Sequence, residues 1–232
     1  MKNIFFISPF CDLLRTFTST SILDRANKKG LVKYNYLDLF SFSKDTHKRI
    51  DDYPYGGGEG MILTPQPIFS AYESIVKQDV KSRVIFPTPD GKKLTTEVSL
   101  DLSKENNLIF ICGHYKGIDQ RIRDEIVTDE ISIGDYILTG GELATSVIID
   151  SVIRLIPGVL NNYESAKTDS FYEDLLDCSH YTRPEVFNDL KVPDVLTSGN
   201  HKEIEKWKMK ERINKTKLRR KDLYEKYLKN NN

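Results

Sequence analysis

The sequence lacks any apolar run that approaches the roughly 20 residues needed to span a bilayer. Its first residues, MKNIFFISPFCDLL, resemble a secretory signal only superficially, because Pro9 and Asp12 interrupt a short apolar run. We interpret this segment as a first β-strand. These absences predict a soluble, cytoplasmic protein with no membrane partner.

Cysteine is scarce, and several familiar catalytic motifs are missing. The three cysteines, Cys11, Cys112 and Cys178, are far apart and form no CxxC pair, which argues against a disulfide framework and a zinc cluster. A GxGxxG motif after a strand, a P-loop, HExxH and GxSxG are all absent. Ordinary dinucleotide-binding, P-loop, zincin and α/β-hydrolase functions therefore lose support, and no metal site is predicted.

Net charge is also absent, since 34 basic residues balance 34 acidic ones. The distribution is uneven: residues 201–232 carry twelve Lys or Arg against five Asp or Glu, a local charge of +7. The rest of the chain must then carry −7. Such asymmetry indicates a polyanionic partner, with a solvated basic helix face as the alternative.

What the sequence does contain is an alternation of strands and helices up to residue 156. Apolar strands separated by helices are typical of a largely parallel sheet covered on both faces, so we expect an α/β fold. The predicted strands are Asn3–Ser8, Arg83–Phe86, Leu108–Cys112 and Ile131–Ile133. The predicted helices are Leu13–Lys29, Thr64–Lys77 and a segment from Leu143 that Pro157-Gly158 ends.

The chain changes character after residue 160. The polar stretch Val159–Asp177 predicts a linker. The region after Pro184 predicts short helices, one of them begun by a capping pair of Asn200 and Glu203. We therefore expect a catalytic domain over 1–160, a linker over 161–178 and a small helical domain over 179–232.

Four glycine-containing segments stand out. In Glu130–Leu143, EISIGDYILTGGEL, glycines at strand ends let backbone groups approach a ligand, which predicts a cradle for a small molecule. Tight turns in an α/β core are the alternative. The other segments are Asp51–Met61, a rigid loop Pro87–Gly91, and Cys112–Asp119. The last two, with Ile133–Gly141, follow predicted strands, where α/β sheets bind ligands.

These segments, in this order, resemble the bacterial tRNA (guanine-N1)-methyltransferase family, TrmD, of the SPOUT superfamily. The resemblance covers nearly the whole chain and rests on the strings DDYPYGGGEGM, TPDG, CGHYKGID, SIGDYILTGGEL, DSVIRLIPGVL, DSF, HYTRP and VPDVLTSGNH. It implies a SPOUT-type domain whose C-terminal part threads a trefoil knot, followed by a helical domain. It also implies a homodimer with its active site at the subunit interface.

The resemblance implies methyl transfer from S-adenosylmethionine to N1 of guanosine 37 in tRNA. Guanine N1 carries a proton at neutral pH, so the reaction needs a base and a group that stabilises charge on O6. Asp169 matches the family's general base, and Arg154 matches the residue that supports that charge. Without the resemblance, a helix N-cap for Asp169 and a surface position for Arg154 would be favoured.

The resemblance also assigns binding residues. Those expected to hold S-adenosylmethionine are Pro87, Pro89, Gly113, Tyr115, Ile133, Gly134, Asp135, Tyr136, Ile137, Leu138, Gly140 and Gly141. Those expected to contact tRNA are Asp51, Tyr55, Gly58, Glu59, Ser165, His180, Arg183, Ser198, Asn200, Arg219 and Arg220. A requirement for Mg²⁺ is left open.

Two positions depart from the family pattern. Lys116 stands where a glutamate near the methionine end of the methyl donor is usual, and Asp90 stands where a glutamine is usual. The reversed charge at Lys116 leaves cofactor affinity and any Mg²⁺ dependence undetermined. Two alternatives remain: a SPOUT methyltransferase with another RNA target, and a non-catalytic RNA-binding protein. The DSF and HYTRP strings argue against the first, and retention of Asp169 and Arg154 argues against the second.

Overall fold

The computed structural model describes residues 1–76, 81–160, 169–171 and 173–231. The chain divides into two compact units, Met1–Asn161 and Asn162–Asn232. Residues 161–168 and 172 of the predicted linker lie outside the described part, so the linker stays a prediction. Among the described residues, no helix combines the length and the apolar character that a membrane crossing requires.

The first unit contains a five-stranded parallel sheet, which confirms the predicted α/β fold. The strands of this unit are β1 (Lys2–Ser8), β2 (Val32–Asp38), β3 (Asp51–Asp52), β4 (Ile62–Leu63), β5 (Arg83–Lys93), β6 (Asn107–Ile111) and β7 (Asp129–Ser132). The sheet has the order β2-β1-β6-β5-β7, while β3 and β4 form a separate antiparallel pair.

Helices cover both faces of this sheet. They are α1 (Cys11–Thr18), α2 (Ser21–Lys28), α3 (Pro65–Val76), α4 (Thr96–Lys104), α5 (Gln120–Ile126) and α6 (Gly141–Ile153). Residues of β6 alternate between two cores: Leu108 and Phe110 pack with α1, α2 and α6, whereas Ile109 and Ile111 pack with α3 and α5. Each such buried side chain stabilises the fold by about 1.5–3 kcal/mol. The double burial explains why this strand reads as one continuous apolar run.

The edge strand β2 is not among the strands expected from the sequence. Its segment, VKYNYLD, mixes tyrosines with polar residues, and most of it is only half-buried. Tyr34 and Tyr36 pack against Phe6 of β1, with ring centroids 6.3 and 5.4 Å apart. This strand is stabilised by neighbours from β1, which a local apolar pattern cannot reveal.

The prediction of one helix over Leu13–Lys29 is wrong, because two helices occupy this region. The break falls at Ser19 and Thr20, whose hydroxyls donate hydrogen bonds to the carbonyl oxygens of Thr16 and Phe17. Side chains that bind nearby backbone in this way compete with the helix and favour its end. The apolar periodicity continues across the break, so it does not show where the first helix stops.

The helix predicted from Leu143 is α6, but it ends at Ile153, before Pro157. Its apolar residues also face two ways. Ile148 and Val152 are buried in the core, whereas Leu143 and Val147 are about half exposed. An apolar residue in a helix thus belongs either to the core or to an uncovered surface, and only the packing decides which.

The second unit contains a hairpin and three helices among its described residues. These are β8 (Val186–Phe187), β9 (Leu190–Lys191), α7 (Asp194–Thr197), α8 (His201–Arg219) and α9 (Lys221–Asn231). The expectation of short helices is therefore wrong for α8, which has 19 residues. The predicted cap at its start is confirmed: the Asn200 side chain accepts a hydrogen bond from the backbone N–H of Glu203.

Candidate active site

A cavity of about 400 Å³ opens at the carboxyl ends of β5, β6 and β7. Eleven of the twelve residues predicted to hold S-adenosylmethionine line it: Pro87, Pro89, Gly113, Tyr115, Ile133, Gly134, Tyr136, Ile137, Leu138, Gly140 and Gly141. Asp135 is not part of the lining. The cavity volume falls within the range of roughly 300–1,000 Å³ that is usual for small-molecule sites.

One wall of the cavity is a bulge within β5. The sequence predicted a loop after Phe86, but the strand continues to Lys93. Pro87 and Lys92 both pair with Ile131 of β7, so the residues between them bow out of the sheet. Two prolines in this stretch cannot donate to the strand ladder, which accounts for the interruption.

Asp90 lies in this bulge and ties it down. Its carboxylate accepts hydrogen bonds from the Thr88 hydroxyl and from Nη2 of Arg123, the latter at 2.7 Å. These two contacts lower the pKa of Asp90 below its ordinary value. Arg123 also donates to both carboxylate oxygens of Glu130 in β7, at 2.7 and 2.8 Å. The arginine therefore connects the bulge to the edge of the sheet.

The opposite wall depends on a close approach of two backbone segments. The N–H of Gly141 donates to the carbonyl oxygen of Gly113 at 2.8 Å. A Cβ at Gly141 would lie 2.8 Å from the Gly113 nitrogen and 3.0 Å from Cα of Cys112. Any side chain here would separate the loop after β6 from the start of α6. Gly141 therefore allows a close approach of the protein's own backbone, not of a ligand.

His114 and Glu142 connect the same two segments. Nε2 of His114 lies 2.7 Å from Oε2 of Glu142, and the Ser8 hydroxyl donates to Oε1 of Glu142 at 2.6 Å. Glu142 is only 3% exposed. Its carboxylate lies in the first turn of α6, where the helix dipole stabilises negative charge. His114 also lines the cavity.

Lys116 lies across the glycine-rich segment between β3 and β4. A Cβ at Gly60 would approach Cγ of Lys116 to 2.9 Å, and the N–H of Lys116 donates to the Met61 carbonyl at 3.0 Å. Gly60 itself has φ +98°, a conformation that side chains rarely adopt. Lys116 is exposed and lines the cavity.

A family model described as "tRNA (Guanine-1)-methyltransferase TrmD" matches residues 1–226. The chain belongs to this family. It is 52% identical to a tRNA (guanine-N(1)-)-methyltransferase of Anoxybacillus flavithermus over 94% of this chain and 89% of the relative. It is 50% identical to the protein of that name from Oceanobacillus iheyensis, over 97% and 92% respectively. A Bacillus cereus protein of the same name is 51% identical over 93% and 89%.

The two residues that match the TrmD catalytic pair belong to different units. Arg154 directly follows α6 in the first unit and is half-buried. Asp169 belongs to the second unit, is also half-buried, and is followed by a turn rather than by a helix. The N-cap alternative for Asp169 therefore has no helix to cap. The catalytic roles of both residues stay predictions.

The residues expected to contact tRNA are spread over both units. Asp51, Tyr55, Gly58 and Glu59 lie in or beside the β3–β4 segment, where Tyr55 is fully exposed. Ser165 lies outside the described residues. In the second unit, Ser198 and Asn200 precede α8, Arg183 and Arg219 are exposed, and His180 and Arg220 pair with Asp177 and Asp222. The structure thus brings them into two groups.

Asp51 also affects the cavity. Partial burial and a hydrogen bond with the Asp51 carboxylate raise the pKa of Tyr115, which is in the cavity lining. Tyr115 adopts φ +58°, which is uncommon for a residue with a side chain. Asp51, expected to contact tRNA, therefore affects the pKa of Tyr115, which is expected to contact the methyl donor.

Sequence reasoning missed eight residues of the cavity lining: Phe86, Thr88, His114, Gly117, Ile131, Ser132, Thr139 and Ala144. A ninth, Lys116, was noted only as a departure from the family pattern. Most of them flank residues that were predicted. Phe86 and Ile131 are strand residues whose position at the carboxyl end of the sheet was a usable signal. Ala144 is one of several apolar residues in α6, and nothing in the sequence distinguishes it as a cavity residue.

Proposed function

We propose that this chain transfers a methyl group from S-adenosylmethionine to N1 of guanosine 37 in tRNA. The observation that carries the proposal is the cavity at the ends of β5, β6 and β7. Its lining contains eleven of the residues that membership of the TrmD family predicts for the methyl donor. The names of relatives about half identical to the chain support the same substrate class.

The cavity fits an adenosine-like group. Its lining combines prolines and aliphatic side chains, such as Pro87 and Leu138, with main chain from the loops after β6 and β7. Such a surface reads the shape of an adenine and ribose without charged side chains. The bound donor supplies an electrophilic methyl group on a sulfonium.

In the proposed reaction, the bond from guanine N1 to the methyl group forms as the bond from methyl to sulfur breaks. Asp169 accepts the N1 proton, and sulfur retains the electron pair and becomes a neutral thioether. The Arg154 guanidinium stabilises negative charge that develops on guanine O6. Asp169 and Arg154 are each half-buried. Because the effective dielectric constant is lower there than in bulk water, their electrostatic interactions with the base are stronger.

The active chain is proposed to be a homodimer with its active site at the subunit interface. Large apolar side chains are exposed on α1, on the loop before α6 and on α6 itself: Phe10, Leu13, Ile137, Leu143 and Val147. α1 packs against α6, so the two helices that carry Leu13, Leu143 and Val147 are neighbours in the fold. A second copy of the chain would remove this apolar surface from water. A SPOUT-type trefoil knot over the C-terminal part of this unit is proposed with it.

The second unit is proposed to bind tRNA. Twelve Lys and Arg residues fall within residues 201–232, and most lie on the exposed sides of α8 and α9. Lysine and arginine on exposed helix faces suit phosphate contacts, which give affinity without sequence selection. Selection of guanosine 37 is then proposed to depend on the action of Asp169 and Arg154 on the base. Mg²⁺ remains an open requirement.

Methyl transfer to tRNA transcripts tests the proposal. Radiolabelled S-adenosylmethionine is supplied with a transcript that carries guanosine at position 37 and with three transcripts that carry another base there. We expect label only in the first, at N1 of the base. Equal labelling of all four would show a different RNA target, and tight binding without labelling would show a non-catalytic RNA-binding protein.

A further inference from the structure

The segment that contains Asp169 is fastened to the long basic helix of its unit. The backbone N–H of Leu176 donates to Oγ1 of Thr216 at 2.8 Å, and Thr216 in turn donates to the Arg212 carbonyl at 2.6 Å. Nζ of Lys215 donates to the Asp177 carbonyl at 3.0 Å. Two contacts therefore join one side of α8 to the stretch that follows Asp169.

Arg212 makes the charged contact in this set. Its Nη1 donates to Oε2 of Glu173 at 3.0 Å, and its side chain is only 11% exposed. Nε and Nη2 are buried and have no hydrogen-bond partner among the described residues. A guanidinium placed in this way is not accessible to an RNA phosphate. Arg212 thus differs in role from the exposed cations of the same helix.

The last helix, α9, holds the segment from a second direction. Nζ of Lys226 lies 2.9 Å from the Asp174 carboxylate, and the Asn230 side-chain amide donates to the same residue at 2.8 Å. The Arg220 guanidinium lies over the ring of Phe171, 5.8 Å from its centroid. Phe171 and Asp174 adopt φ +77° and +58°. Non-glycine residues keep such conformations only where neighbours hold them.

We propose that Arg212 is a positioning residue for the proposed base. Through Glu173 it fixes the turn that carries Asp169, while the outer sides of α8 and α9 remain available for tRNA. This inference rests on the proposed function of Asp169. The basic helices then have two separable effects: exposed cations set tRNA affinity, and buried Arg212 sets the rate of the chemical step. Misplacement of a reacting group by about 1 Å costs on the order of 10²-fold in rate.

The test compares Arg212→Ala and Arg212→Lys with Asn214→Ala, an exposed substitution on the same helix. Methylation is measured in single turnover at saturating tRNA and S-adenosylmethionine, and tRNA affinity is measured separately. We expect Arg212→Ala to be roughly 10- to 100-fold slower with tRNA affinity changed less than about threefold. Arg212→Lys should recover part of the rate, and Asn214→Ala should match the wild type. An unchanged rate, or a loss confined to tRNA affinity, would overturn the proposal.

Two further measurements keep the outcome interpretable. Glu173→Gln breaks the same pair from its half-exposed side, so it reports on the contact if Arg212→Ala fails to fold. It too should slow the single turnover with tRNA affinity retained, and a wild-type rate would count against the proposal.

Amide hydrogen exchange across residues 173–178 measures how firmly this segment is held, and the measurement does not depend on methylation activity. Faster exchange in Arg212→Ala is expected, and unchanged exchange would refute the positioning role. The same readout separates the two proposals. If Asp169→Asn methylates normally, the base assignment fails, whereas the exchange result still decides whether Arg212 holds the segment.

Discussion

Glu142 binds His114 across 28 residues of sequence, and this contact joins the first turn of α6 to the loop after β6. The Nε2 to Oε2 distance is 2.7 Å, and the second oxygen of the carboxylate is taken by Ser8 of β1. Three segments that approach the proposed methyl-donor site are therefore held by one buried carboxylate. Removal of this carboxylate would leave the buried Ser8 hydroxyl and the half-buried His114 ring without this partner.

Substitution of Glu142 should consequently affect both stability and donor binding. We expect Glu142→Ala to lower the free energy of unfolding by about 2 kcal/mol or more, since a charged hydrogen-bond acceptor is removed from a buried site. Glu142→Gln should fold and bind S-adenosylmethionine more weakly, by roughly tenfold for about 1.4 kcal/mol. Urea denaturation and calorimetric titration measure the two effects. The exposed Glu125→Gln is the control, and equal donor affinity in both variants would refute the role of Glu142.

Asp169→Asn should remove most turnover and leave S-adenosylmethionine binding nearly intact, because the carboxylate acts on the nucleobase. Loss of a general base typically lowers the rate on the order of 10²–10⁴-fold. Single-turnover methylation and donor titration give the two quantities. Near-normal methylation by this variant would show that another group accepts the N1 proton.

Lys116→Glu should tighten S-adenosylmethionine binding or strengthen activation by Mg²⁺. We predict that Lys116 points away from the methionine end of the donor, since two like charges about 4 Å apart cost about 4 kcal/mol at an effective dielectric of about 20. The donor's amino group then needs another acid as its partner, and Glu59 and Asp119 are the candidates. The Asp119 carboxylate is already bound by Arg121 at 2.7 and 2.8 Å, which leaves Glu59 as the better candidate.

The experiment for Lys116 needs a matched charge change. Lys33→Glu reverses an exposed charge on the edge strand β2 and should leave donor affinity unchanged. Isothermal titration of both variants, with and without Mg²⁺, separates a local from a global charge effect. Weaker binding by Lys116→Glu with an unchanged Mg²⁺ response would instead identify Lys116 as a ligand contact.

Deletion of the chain from about Val195 onward should leave a first unit that binds S-adenosylmethionine, as a dimer, but that binds tRNA at least on the order of tenfold more weakly. Full-length affinity should fall steeply as salt rises, because phosphate contacts release counterions. The deletion also removes Thr216 and Arg212, which hold the segment after Asp169, so turnover should vanish even at saturating tRNA. Affinity independent of salt would indicate a protein-binding tail.

Arg123→Met should destabilise the first unit in a pH-dependent way. Hydrogen bonds from Thr88 and Arg123 lower the pKa of Asp90, so its contribution to stability is complete above its ordinary pKa near 4 and is lost as pH falls through the lowered value. We expect the variant to lose about 1 kcal/mol at pH 7 and less at pH 3. Urea denaturation followed by circular dichroism measures both, with the exposed Arg25→Met as control. A loss that grows on acidification would contradict this assignment.

The class of fold and the place of the proposed donor site follow from local patterns in the sequence. Apolar strands such as Leu108–Cys112 are buried on both faces, and that burial is written directly into their composition. Glycine and proline segments mark where such strands end, and parallel strands end at the same edge of the sheet. These two signals place a ligand site at this edge, and the family resemblance assigned eleven of the lining residues, with Asp135 as the exception.

Features that depend on distant neighbours emerge only from tertiary packing. Strand β2 is stabilised by Phe6, and the bulge in β5 by Arg123. In each case the stabilising contact comes from another segment, so the apolar pattern of the segment itself does not reveal it.

The same holds for two buried ionisable side chains. Glu142 and Arg212 resemble ordinary charged helix residues in the sequence, yet both are buried in the fold. A buried charge persists only where partners compensate its lost hydration, and those partners, His114 and Glu173, are 28 and 39 residues away along the chain. Hydrophobic pattern is a local property of a sequence, whereas compensation of a buried charge is a property of the packed structure.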